Sequence, residues 1–231
     1  MKLRKPRTPS RLRIAVLAAA CGLLALVSSA AAVVYVYNNG FNSRSAYREI
    51  NRNDADKSCD KSWVKKSDSM RVAVKGRDFC GYAPPVLGDR EQPDHEIQAR
   101  GRILGSTPKN LRRHTYLSVL VRVGKDTFYE FKVNPKERQF RLTRKPNVAG
   151  LPISGDSNKI NNLGEGNTLR LRVTGGEVSA FVNGASVANF TDPTPGQVTG
   201  RRVAFGVGTT KSTESTARGS FTSVKVGVPT P

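Results

Sequence analysis

The sequence predicts an all-β chain, an antiparallel sandwich or barrel preceded by one membrane-length helix. Three observations lead there: runs that alternate apolar and polar from about residue 69 onward, two-residue turns rich in glycine between such runs, and a stretch of 24 residues, 14–37, without a single charge.

The N-terminal part comes first. Residues 1–13 (MKLRKPRTPSRLR) hold six basic residues and no acidic ones, and residues 14–37 (IAVLAAACGLLALVSSAAAVVYVY) are uncharged. As a helix, 24 residues rise roughly 36 Å, enough to cross a bilayer core of about 30 Å. The basic flank then stays in the cytoplasm and the rest of the chain faces outward, with Tyr35 and Tyr37 placed as an interfacial aromatic pair. The expected organisation is a cytoplasmic tail (1–13), a single-pass signal-anchor helix (14–37), a polar juxtamembrane linker (38–68) and a β-domain (69–228). Two alternatives compete with a retained anchor. One is cleavage of a secretory leader near Ala30-Ala31-Ala32, opposed by the apolar run that continues through Tyr37. The other is lipid modification at Cys21, opposed by the apolar residues after it.

An outward-facing domain lies in an oxidising setting, where Cys59 and Cys80 are expected to pair. Neither has a CxxC partner or a nearby histidine to suggest redox or metal chemistry. Within 38–68, Ser45 to Arg52 suits a short helix. Trp63, the only tryptophan, is expected to pack on the domain edge, with stacking on a sugar as its other role.

Candidate strands then follow in order: Met70–Val74, Glu96–Leu104, Tyr116–Val123, Thr127–Val133, Gln139–Arg144, Thr168–Thr174, Glu177–Val182, Ala185–Thr191, Arg202–Val207 and Ser220–Val226. Leu169, Leu171 and Val173 point one way and Arg170 and Arg172 the other; Phe140 and Leu142 oppose Arg141 and Thr143. In the last strand Phe221, Val224 and Val226 fit one face less cleanly. Gly175-Gly176 and Asn183-Gly184 each separate two runs and tolerate the positive φ of a tight hairpin. Asp192-Pro193-Thr194-Pro195-Gly196 ends the resulting meander.

The succession N-T-L-R-L-R-V, a glycine turn, V-S-A-F-V-N-G-A-S-V-A-N-F-T-D, R-V-A-F-G-V-G and F-T-S-V-K-V resembles the C-terminal half of a concanavalin A-like lectin/glucanase jelly roll. It is most similar to the laminin-G-like and 3-keto-disaccharide hydrolase-like branches. Upstream, Phe128-Tyr129-Glu130-Phe131-Lys132-Val133 and Gln139-Phe140-Arg141-Leu142 resemble the middle strands of those domains. The resemblance covers about residues 69–228 and implies two packed antiparallel sheets.

Glucanases of that superfamily carry an E-x-D-x-x-E strand, and retaining hydrolysis needs an acid and a nucleophile about 5 Å apart. No such strand is present here. Asp94-His95-Glu96 is the nearest acidic cluster, read as an exposed edge. His95 and His114 are too few for a metal site, and no nucleophile elbow or phosphate loop appears. The loop Ser154-Gly155-Asp156-Ser157-Asn158 offers oxygens but one carboxylate, so no cofactor is expected and calcium is only a minor alternative. A non-enzymatic domain is the expectation.

Charge supplies the rest. Removing the six basic residues of the tail from 38 leaves 32 against 18 acidic, a net +14. Arg141, Arg170 and Arg172 form one solvent-facing surface if their strands are neighbours, and Arg112 and Arg113 are a basic pair in a polar loop. These residues and Trp63 are the candidate binding residues. They suit an anionic envelope polysaccharide or lipid headgroups, or else only keep the domain soluble. Nucleic acid is not expected, as no aromatic-interleaved motif accompanies the charge. A non-catalytic glycan-binding module anchored in a cell membrane is the first expectation. A structural or sensory partner of another membrane protein is the second, and a glycan hydrolase the third.

Overall fold

The computed structural model describes residues 33–41, 47–51, 59–76, 79–85, 94–212 and 214–229. Their strands are β1 (Val33–Asn39), β2 (Arg48–Asn51), β3 (Cys59–Val64), β4 (Ser69–Lys75), β5 (Phe79–Ala83), β6 (His95–Ile103), β7 (Thr115–Val123), β8 (Phe128–Asn134), β9 (Gln139–Lys145), β10 (Ile153–Asp156), β11 (Asn167–Thr174), β12 (Glu177–Val182), β13 (Ala185–Thr191), β14 (Arg202–Thr209) and β15 (Thr216–Pro229). They form two antiparallel sheets. Sheet A runs β13-β12-β11-β6-β15-β4-β3, with β1 also paired to β15, and sheet B runs β10-β9-β8-β7-β14-β5-β2. This is the all-β two-sheet sandwich of a jelly roll.

Alternation fixes the packing. On β11, Leu169, Leu171 and Val173 are buried, and on β9 so are Phe140 and Leu142, while the residues between them face outward. The inner faces meet through side chains such as Ile97, Phe131, Phe205 and Phe221, each worth roughly 1.5–3 kcal/mol of transfer free energy. The irregular last strand has a simple cause. A register shift between Phe221 and Ser223 re-phases β15, so that Phe221, Val224 and Val226 all point into the core. At the Asn183-Gly184 turn both residues take positive φ, 50° and 87°, the geometry a two-residue hairpin requires.

The upstream part differs from expectation. Val33–Tyr37, expected as the end of a helix, belong to β1, which pairs with β15 from Val33↔Pro229 to Asn39↔Val224. Valine and tyrosine lose less freedom in a strand than in a helix, and β15 supplies the partner. Tyr35 and Tyr37 form hydrogen bonds to Glu96 and Tyr47. Residues 14–32 lie outside the described residues, and no helix among the described residues is long and apolar enough to cross a membrane. The stretch expected as a linker contributes β2 to sheet B and β3 to sheet A. The helix expected from Ser45 to Arg52 is replaced over Arg48–Asn51 by β2.

Cys59 on β3 and Cys80 on β5 are joined, Cα to Cα 5.5 Å. Since β3 lies in sheet A and β5 in sheet B, the bond fastens one layer to the other. Trp63 packs edge to core against Phe41 and Tyr47, with centroids 5.6 Å away in each case. Residues 33–231 make up a compact unit by themselves, with their own core and cross-link.

Candidate functional site

The outward face of sheet B carries a groove of about 640 Å³ lined by residues of β5, β7, β8, β9 and β14. Alternation on β8 builds its centre: Tyr129, Phe131 and Val133 turn into the core, so Phe128, Glu130 and Lys132 turn out. Glu130 stands opposite Leu120 of β7 and Thr143 of β9, and Lys132 opposite Ser118 and Arg141.

Glu130 is 1 % exposed despite facing outward. Ser118 donates to its Oε1 at 2.8 Å, and the Lys132 ammonium lies 3.1 Å from Oε2. A carboxylate taken out of water needs such partners to remain charged. Lys132 Nζ also lies 4.5 Å from the Tyr116 ring centroid. That ring lies on Gly208, where any Cβ would meet it at 2.2 Å, so glycine at this position lets the aromatic lie close to the sheet. Phe79, Tyr116, Leu120, Val123 and Ala204 form a small apolar cluster on this outer face, joined by Phe128 and Ile50. The groove thus has an apolar side, a buried carboxylate in its floor, and Arg141, Thr143 and Lys145 along the other side.

A second hollow of about 590 Å³ lies at the rim, between Asp94, Arg122, the Gly175-Gly176 turn and residues 195–201. Arg122 donates to the Gly175 carbonyl at 2.7 Å and to Asp94 Oδ1 at 3.2 Å, holding these loops together.

The candidate binding residues are dispersed. Arg141 is in the groove on sheet B, whereas Arg170 and Arg172 lie on β11 in sheet A. The single surface expected for the three does not form, because their strands belong to opposite layers. Arg170 stacks 3.8 Å from the Phe181 centroid, and Arg172 Nε pairs with Glu96 Oε2 at 2.7 Å. Arg112 donates to the Thr107 and Gly105 carbonyls and shapes a loop. Arg113 donates to His114 Nε2, and Trp63 is packed at the core edge.

Asp94 and Glu96 do not converge. Asp94 precedes β6 and accepts from the Gly175 amide and Arg122, while Glu96 is fully buried between Tyr35 and Arg172. The exposed edge expected for this cluster is therefore a buried ion pair at Glu96. Residues Ser154–Asp156, expected in an open loop, pair with β9 as part of β10. Among the described residues no group of three or more His, Cys, Asp or Glu is gathered as a metal site. Sequence reasoning missed Glu130, Ser118 and Lys132. The outward phase of Phe128, Glu130 and Lys132 was legible, but nothing showed that a lone acid on a polar strand face would be buried.

No family model and no curated protein matches the chain. Solved structures do. The carbohydrate binding module CBM66 from Bacillus subtilis aligns with a TM-score of 0.51 at 12 % identity, over 79 % of this chain and 98 % of that one. A protein of unknown function with a galectin-like fold, also from Bacillus subtilis, gives 0.57 at 11 %, over 85 % and 98 %. The catalytic domain of an endo-1,3-beta-glucanase (laminarinase) from Thermotoga petrophila RKU-1 gives 0.59 at 10 %, over 87 % and 99 %. At these identities the likeness is one of fold, and the fold is that of the jelly-roll glucanases, carbohydrate-binding modules and galectin-like proteins. It also corrects one expectation. The chain was expected to be no enzyme, yet its architecture is shared with glycoside hydrolases such as the laminarinase, so that expectation does not stand.

Proposed function

We propose that the domain binds a glycan chain in the groove on the outer face of sheet B. The observation that carries this reading is the buried Glu130 in the floor, held by Ser118 and Lys132 beside an apolar wall. A sugar presents hydroxyls around its edge and C–H groups on its faces. The enclosed Glu130 orients the Lys132 ammonium; Lys132, Arg141 and Lys145 donate to ring and exocyclic oxygens, and Phe128 offers apolar contact. Neighbours that include a carbohydrate binding module and a galectin-like protein support it.

The same carboxylate favours a second reading, a glycoside hydrolase with Glu130 as proton donor. Among the described residues lining the groove Glu130 is the one carboxylate, whereas the common hydrolytic mechanisms use two. Calorimetric titration with soluble β-glucans and with acidic polysaccharides, alongside reducing-end release, separates the readings. Charge-assisted hydrogen bonds contribute about 1.5–3 kcal/mol, so Glu130→Gln is expected to weaken binding by about tenfold or more. Arg141→Ala, at an exposed position, is expected to weaken it without loss of fold. Absence of binding across the panel, or affinities unchanged in both variants, would sink the proposal. Product release that Glu130→Gln abolishes would establish the second reading.

We further propose that the domain is held outside a membrane by the segment before it. The basic tail, the uncharged residues 14–32 and the Cys59–Cys80 bond support this. With β1 starting at Val33, 19 residues remain for the crossing, about 28 Å of helix. The apolar run through Tyr37 no longer argues against cleavage, because those residues serve a strand. Mass spectrometry of the mature N-terminus decides: a chain beginning near Val33 would show a removed leader in place of an anchor.

A further inference from the structure

The outer face of sheet A, opposite the groove, gathers cations from four adjacent strands. Arg71 lies on β4, Arg100 and Arg102 on β6, Arg170 and Arg172 on β11, and Lys225 on β15. Register aligns them in rows: Arg170 stands beside Gln98 and Gln98 beside Lys225, while Arg102 stands beside Ser220 and Ser220 beside Arg71. Arg71, Arg100 and Arg102 are exposed. Among these strands the acid on this face is Glu96, which is fully buried and neutralised by Arg172; Glu177 and Asp60 stand on the flanking strands β12 and β3.

A second observation concerns the border of this face. The large hydrophobic side chains most exposed among the described residues are on β1, Val34 at 55 %, Tyr35 at 43 % and Val36 at 46 %; alternation turns Tyr35 to this face and Val34 to the opposite one. Tyr35 belongs to the cationic face, since its hydroxyl donates to Glu96 and Lys225 Nζ lies 5.4 Å from its ring centroid. The chain enters β1 directly from the uncharged residues 14–32.

We propose that this face seats the folded domain on a bilayer surface carrying anionic headgroups. Arginine and lysine meet lipid phosphates, and their apolar stems with the Tyr35 ring reach the acyl boundary. The charges alone would fit a soluble polyanion equally well. The exposed Tyr35 ring among them matches a lipid surface, where aromatic rings settle at the headgroup level, because an anionic polymer in water leaves it solvated. The groove then points away from the membrane. This proposal does not rest on what the groove binds.

The test is co-sedimentation of oxidised residues 33–231 with vesicles of phosphatidylcholine alone or with phosphatidylglycerol added, across a salt series. Binding is expected to the phosphatidylglycerol vesicles only and to fall as salt rises. Each basic residue near such a surface contributes enough for about a fivefold change, so Arg100→Gln with Arg102→Gln is expected to cut partitioning about thirtyfold. Tyr35→Ser is expected to remove the binding that survives high salt. Glu130→Gln, in the groove, is expected to change nothing here. No binding at low salt, equal binding of the arginine variant, or retention on an acidic polysaccharide without vesicle binding would each overturn the proposal. Because the salt series on the unaltered domain is informative by itself, a variant that failed to fold would not leave the question open.

Discussion

His95 sits at the head of β6 with no exposed surface, and neither ring nitrogen has a hydrogen-bond partner. Burial, reinforced by the positive charge of Arg122 and opposed by Asp94, pushes its pKa down from 6.5 to about 4. The folded state therefore prefers the neutral ring, and the unfolded chain takes up a proton first as pH falls. Stability from this residue is complete above about pH 6.5 and is lost as pH falls toward 4, by up to about 3 kcal/mol at 1.36 kcal/mol per pH unit. Urea unfolding at a series of pH values is expected to show that slope, and His95→Leu to flatten it. A slope unchanged in the variant would assign it elsewhere. The sequence showed two histidines, far apart in the chain. It could not show that one of them is enclosed, since burial depends on which strands cover the end of β6.

At the scale of elements, β9 and β13 lie at the same flank of the two sheets and are tied by charge. Arg144 Nε lies 2.7 Å from Asp192 Oδ2, and neither side chain is exposed. Tyr129 of β8 donates to the same carboxylate, and the Thr194 amide donates to Oδ1. Burial raises the Asp192 pKa, but Tyr129, Thr194 and Arg144 together outweigh it and hold the group below its ordinary value. This stability is therefore present above the ordinary carboxylate pKa and is lost as pH falls through the folded value, a window more acidic than that of His95. Asp192→Asn strands a buried guanidinium and is expected to cost about 3–5 kcal/mol. Arg144→Met with Asp192→Leu is expected to cost much less than the two single changes added, and a double-mutant cycle in urea measures the difference.

The same scale shows why ten strands were legible and five were not. Strands such as β11 and β9 bury one side and wet the other, and their sequences alternate. β5, FCGYA, is buried at every residue, so it has no polar phase. β3, CDKSWV, is mostly exposed and reads as loop. β2 and β10 have four residues each, too few for a period to register. β1 is apolar without interruption from the segment before it, and composition alone continues the helix through it.

For the molecule as a whole, the layers are fastened once by covalent chemistry. The Cys59–Cys80 bond closes a separation of 21 residues that holds all of β4. Loop-closure entropy for that length corresponds to about 3 kcal/mol, and Cys59→Ala with Cys80→Ala is expected to lose about that much in urea unfolding. An unchanged midpoint would mean that packing of β3 on β4 already suffices. The pairing was legible because two cysteines stand alone in residues 38–231. The groove was not legible, because it arises from strands distant in sequence: β5, β8 and β14 meet only once sheet B has formed. The basic surface was legible in composition but misassigned in space, since alternation fixes a side of a strand and not the layer to which the strand belongs.

The pairing of Val33 with Pro229 makes the first described strand wait for the last. Synthesis delivers β1 before any neighbour it will keep, and its hydrogen-bond partner emerges only after every other strand of the fold. The β1–β15 ladder therefore closes after the other described strands are available. It also sets the two ends of the domain side by side, so that a short tether from residue 229 back to residue 33, with the chain reopened in a surface turn such as Gly175-Gly176, would preserve every ladder.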